Sequence, residues 1–69
     1  MTFGERLSKL LNEKNMTQKE LSDKAGVNVV SMSRYVHGSR IPRARVVVSM
    51  AKVLGVSTDY LLGVEDGDE

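Results

Sequence analysis

Residues that stop a helix recur so often along this 69-residue chain that no long element can form. Gly26, Gly38, Gly55 and Gly63 each follow a stretch of helical character, and glycine readily takes the left-handed conformation that ends a helix. Asn15 can end one in the same way. Signals that start a helix stand opposite them. Thr2 with Glu5, and Thr17 with Glu20, have the Thr-x-x-Glu spacing of a capping box. Asn28 and Ser57 are placed as single N-caps.

Between these signals the apolar residues recur every three or four positions. Phe3, Leu7, Leu10 and Leu11 lay one stripe along a first helix of about three turns. A second helix, Gln18 to Ala25, buries Leu21 and Ala25 and shows Lys19, Asp23 and Lys24. The third follows Asn28, with Met32 and Tyr35 or Val36 inward. Pro42 bars helical geometry at Ile41, so a fourth helix runs from about Ala44 to Leu54 with Val47, Met50, Ala51 and Leu54 inward. Its three consecutive valines alone favour a strand. The helical spacing beyond them and the Gly55 stop decide for helix. A short fifth helix carries Tyr60, Leu61 and Leu62. The expected fold is all-α, compact and built of five helices.

A chain this short buries only about 60% of its unfolded surface and needs an efficient core. The sequence has no cysteine, which removes disulfides, thiolate metal sites and a cysteine nucleophile together. It fits a reducing compartment. The apolar runs Val46 to Val48 and Val53-Leu54 fall far short of the roughly 20 residues of a membrane span. The first residues lack the order of a signal peptide. A soluble, cytoplasmic protein with no membrane partner is expected.

The formal charge of +1 conceals an uneven distribution. Four of nine carboxylates, Glu65, Asp66, Asp68 and Glu69, fall in the last five residues, and without residues 63–69 the charge is +5. Every position between Lys24 and Thr58 lacks Asp and Glu, while Lys24, Arg34, Arg40, Arg43, Arg45 and Lys52 lie there. Such a stretch is a footprint for a polyanion if the fold gathers it on one face. It is an ordinary solvated surface if Glu5, Glu13, Glu20 and Asp23 neutralise it in space. The division expected is a domain over residues 1–63 and an acidic, disordered tail over 64–69.

The segment Gln18 to Tyr35 joins a helix of about two turns, a glycine turn and a second helix. A rigid pair of this kind can present the front of one helix to a major groove about 12 Å wide. At these residues the chain resembles the Cro and repressor-type helix-turn-helix family, whose members are lambda-repressor-like five-helix DNA-binding domains. The resemblance covers residues 3 to 63. Its supporting marks are Gly4-Glu5-Arg6-Leu7, Met16 to Leu21, His37-Gly38-Ser39-Arg40-Ile41-Pro42 and Ala51 to Leu62.

The resemblance implies a DNA-binding transcriptional repressor that holds a palindromic operator as a dimer. Thr17, Gln18 and Asn28 would meet the DNA backbone at helix fronts, where phosphate is also favoured by the helix dipole. Val29, Val30, Ser33 and Arg34 would face base edges. Relatives often carry polar residues at the two valines; here an exposed valine can read only a thymine methyl, unless it belongs to the core or a protein contact. Arg34 suits either a guanine or a phosphate. His37, Ser39, Arg40 and Arg43, with Arg45, would clamp the backbone, His37 capping its helix as an alternative. Val56, Tyr60, Leu61 and Val64 are candidate dimer contacts, some of which can instead finish the core.

Two positions depart from the family. Leu11 and Val36 stand where relatives often pair an Arg with a Glu, a replacement that is often neutral or stabilising. Ser22 stands where Ala is usual, and its hydroxyl is expected to bond a carbonyl one turn back. No metal-ligand cluster, nucleophile with a nearby base or phosphate loop is present, so no enzyme, metal, cofactor or small-molecule ligand is expected. An antitoxin with autoregulatory DNA binding, and a protein-interaction module on the same scaffold, are the rival functions.

Overall fold

The computed structural model describes residues 1–64, and of the acidic tail 64–69 expected to be disordered, residues 65–69 lie outside the described residues. The described chain forms five helices: α1 (Phe3–Glu13), α2 (Gln18–Ala25), α3 (Val29–His37), α4 (Ala44–Leu54) and α5 (Thr58–Leu62). Both capping boxes form. The Thr2 and Thr17 hydroxyls accept from the Glu5 and Glu20 amides at 3.1 and 3.0 Å, and the two carboxylates accept from the Thr2 and Thr17 amides at 2.9 and 2.8 Å. Asn15 is left-handed after α1, and glycines in the same conformation close the other four helices.

The principal packing contacts form a closed ring. Helix α1 lies on α3, α3 on α2, α2 on α4, α4 on α5, and α5 returns to α1. The ring encloses Leu7, Leu10 and Leu11 of α1, Leu21 of α2, Met32 and Tyr35 of α3, the four predicted residues of α4, and Leu61. Leu7, Leu21, Met32, Met50, Leu54 and Leu61 are essentially inaccessible; burying each contributes about 1.5–3 kcal/mol. The Arg6 guanidinium, 5.3 Å above the Tyr60 ring centroid, ties α1 to α5 outside this core. Among the described residues no helix is long and apolar enough to cross a membrane.

Two features depend on how helices meet. Gly4, which stops no helix, is buried where α1 meets the end of α3. A Cβ there would lie 2.8 Å from the Tyr35 carbonyl oxygen and closer still to that of Val36. Ser22 is also buried, but its Oγ makes no hydrogen bond, so the expected bond to a carbonyl is absent. Its burial follows from α2 packing against α3 and α4, which local helix geometry does not reveal.

Each feature sets the sign of a substitution. Gly4→Ala would gain about 0.5–1 kcal/mol in helix propensity but meets backbone oxygens that move only with the helix, at a cost of about 1–3 kcal/mol. A net loss in a urea titration is expected. Ser22→Ala removes a buried, unsatisfied hydroxyl and should raise stability by about 1 kcal/mol or more, which in a domain this size is roughly 4–8 °C in Tm.

Candidate nucleic-acid interface

The front of α3 is set by the three-residue turn that precedes it. Gly26 holds φ +71° with no atom within 4 Å of where a Cβ would sit, so glycine is needed there for conformation and not for space. The Val27 amide donates to the Ser22 carbonyl at 2.9 Å. Asn28 Oδ1 then accepts from the Val30 and Ser31 amides at 2.8 and 3.3 Å. This cap satisfies the first free donors of α3 and starts the helix at Val29.

Helical geometry of about 100° per residue divides α3 into faces. Met32 and Tyr35 point into the core, and Val36 is half-buried beside them. Val30 and Arg34, four residues apart, share the opposite, outward face. Val29 and Ser33 flank that row. Both valines stand in solvent, Val29 46% and Val30 58% exposed, while Ser33 is half-buried.

The end of α3 is finished by its own polar groups. The His37 ring Nδ1–H donates to the Ser33 carbonyl at 2.8 Å, which is the capping role anticipated for it. The Ser39 hydroxyl donates to the Arg34 carbonyl at 3.4 Å. Beyond Ser39 the chain turns back along α3. Arg40 and Arg43 line one groove with Ser31 and Tyr35, and Arg40 lines a second with Thr2, Phe3 and His37. A third open groove, holding half-buried Gln18 against Leu11, Met16 and Val36, shares Gly4, Glu5 and Val36 with the second. Gln18, His37, Arg40 and Arg43 therefore border one continuous band.

Three of the four carboxylates that could have neutralised the basic stretch make local contacts, although Glu5 also lines the groove bordered by Arg40 and His37. Glu5 and Glu20 cap helices, and Asp23 pairs with Lys19 within α2 at 3.0 Å. Among the described residues no carboxylate pairs with Arg34, Arg40, Arg43 or Arg45. Arg43 is itself the N-cap of α4 and gives it no side-chain hydrogen bond. Among the described residues no group of three or more His, Asp or Glu is placed to hold a metal ion.

The dimer candidates separate by burial. Leu61 is wholly buried within its own chain and completes the core, so it is removed from the candidate surface. Val56 and Tyr60 are half-buried against the core, and Val64 is exposed. Exposed Val48 and Leu62, not singled out from sequence, border one groove with Pro42, Ala44 and Thr58. The signal was present. Two adjacent leucines in a helix of little more than one turn cannot both face inward, and Val47 inward places Val48 outward.

The family described as Helix-turn-helix matches residues 7–61. An uncharacterized HTH-type transcriptional regulator of Bacillus subtilis, YqaE, is 34% identical over 97% of this chain. The cryptic phage CTXphi transcriptional repressor RstR of Vibrio cholerae is 32% identical over the whole of this chain. The chain spans 58% of the first relative and 62% of the second. The P22 c2 repressor, solved in complex with a synthetic operator, superposes with a TM-score of 0.86 at 26% identity, covering 93% of this chain and 97% of that one.

The cap at the front of α2 makes a pH dependence testable. Hydrogen bonds from the Thr2 and Thr17 amides hold Glu5 and Glu20 below the usual carboxylate range. A lowered pKa in the folded state stabilises above the unfolded pKa, and that contribution is lost as pH falls through the folded value. The urea midpoint should therefore drop between about pH 6 and pH 3. Glu20→Gln keeps a capping oxygen that does not titrate, and should drop less over the same range.

Proposed function

The chain belongs to the Cro and repressor-type helix-turn-helix family, and from this membership we propose that it is a transcriptional regulator that binds double-stranded DNA at a specific sequence. It acts as a repressor, by occupying a palindromic operator as a dimer. One observation carries the reading: the outward face of α3 is flanked by arginines that form no ion pair with a carboxylate among the described residues. A duplex offers those arginines the missing counter-charge.

Val29, Val30, Ser33 and Arg34 face base edges in the major groove, with Arg34 suited to the paired acceptors of guanine. Thr17, Gln18, Asn28, His37, Ser39, Arg40 and Arg43 hold the phosphate backbone on either side. The front of α4 supports the role of Arg43, because its first amides have no side-chain cap and helix N-termini favour phosphate. Thr17, Asn28, His37 and Ser39 combine this contact with the local hydrogen bonds they already make. Residues 1–63 are the DNA-binding domain and residues 64–69 an acidic appendage. The exposed Leu62 and Val64, with Val56 and Tyr60, supply the contact between protomers that spaces two α3 helices about 34 Å apart. The protein works in the cytoplasm, on DNA, and needs no cofactor.

Selection from a random duplex library, followed by salt titration on the selected site, tests the proposal. Affinity should fall steeply as salt rises, and selected sites should be palindromic. Indifference to salt would point to a protein-docking face instead. Arg40→Ala should weaken all duplexes alike and reduce the salt slope by about one. Arg34→Ala should relax preference at one position of the half-site, at a cost of about 1–3 kcal/mol on the preferred base. Uniform weakening would place Arg34 on phosphate.

A further inference from the structure

The leading edge of α3 is unusual for a surface meant to read bases, because it offers hydrocarbon where hydrogen-bonding groups would serve. Val29 and Val30 are adjacent, 46% and 58% exposed, and neither belongs to the core. The Val30 and Ser31 amides beside them are already committed, since both donate to Asn28 Oδ1. Val30 is on the outward row, four residues before Arg34, so a duplex held by Arg34, Arg40 and Arg43 would bring a base edge against it.

A hydrocarbon side chain cannot distinguish donors from acceptors. Of the groups displayed in the major groove, it can favour only the methyl on C5 of a pyrimidine. In ordinary DNA that methyl marks thymine. Cytosine methylated at C5 carries the same group on the same ring atom. We propose that Val30, flanked by Val29, reads the C5-methyl group itself and not the base that bears it, so that methylation of a cytosine at the contacted position strengthens binding. The inference rests on the duplex-binding reading above and adds to it a dependence on DNA modification. Ser33, half-buried beside this edge, leaves the methyl contact to the valines.

The test uses the full chain and the duplex selected from a random library. At each pyrimidine of the half-site, two matched pairs are compared by fluorescence anisotropy at fixed salt: thymine with uracil, and 5-methylcytosine with cytosine. Each pair differs by one methyl. At the contacted position the methylated member should bind about three- to fivefold tighter in both pairs, the size expected from burying one such group. Val30→Ala should bring both ratios close to one. Its fold should persist, because the Val30 side chain is exposed and outside the core, and circular dichroism with an unselected duplex confirms that the variant is folded and still binds DNA. Ratios near one at every position, with salt-sensitive duplex binding intact, would overturn the methyl reading alone. Ratios that survive both Val30→Ala and Val29→Ala would overturn the assignment to these residues. Failure to bind any duplex would overturn the inference together with the function it rests on.

Discussion

The approach of α1 to the back of α3 is the contact on which the arrangement depends. At Gly4 the two backbones come so close that the carbonyls of Tyr35 and Val36 occupy the space a side chain would need. This contact is one link of the closed ring of helices, so its spacing is transmitted in both directions. Leu7, Leu10 and Leu11 follow Gly4 inward, while Met32 and Tyr35 meet them from α3. With the inner row of α3 anchored on one side, Val30 and Arg34 are held facing outward on the other. A glycine that touches none of the candidate interface residues on the front of α3 thus sets how that helix is displayed.

The polar groups show a corresponding economy. The core holds no ionised side chain, and Ser22 is the only buried polar residue among those described. Leu11 and Val36, where family members often place an ion pair, border one groove with apolar side chains. Replacing a buried pair by fitted hydrocarbon avoids the desolvation of two charges. Glu5, Glu20 and Asp23 work at helix fronts or within a helix, and among the described residues no carboxylate pairs with the arginines after α3. One use of acidic residues thereby serves two ends: it stabilises the helices and keeps the basic surface available to a polyanion.

Much of the fold was legible in the sequence because the signals are local. A capping box spans four residues and a helix-ending glycine acts on the turn before it, so α2 and α4 lie where their punctuation placed them. The inward residues of α4 follow from one helical period. At least one of Val29 and Val30 had to be exposed, because Val27 already turns inward. Both are exposed, since the Asn28 cap starts α3 immediately before them.

What the sequence determined by itself was the number of helices, their ends and most of their inward residues, together with a basic stretch interrupted by no acid. The helix signals depend on residues within about one turn of one another, where backbone geometry leaves few alternatives, and the charge pattern is read directly along the chain. The tertiary structure decided matters in which distant segments meet. It showed that Gly4 is needed for space whereas Gly26 is needed for conformation, and that Ser22 is buried without a partner. It placed Leu61 in the core and Leu62 at the surface, and it engaged Glu5, Glu20 and Asp23 in local contacts rather than in ion pairs with the arginines. Close approach, burial and charge pairing are properties of pairs of surfaces, and a linear pattern specifies only one surface at a time.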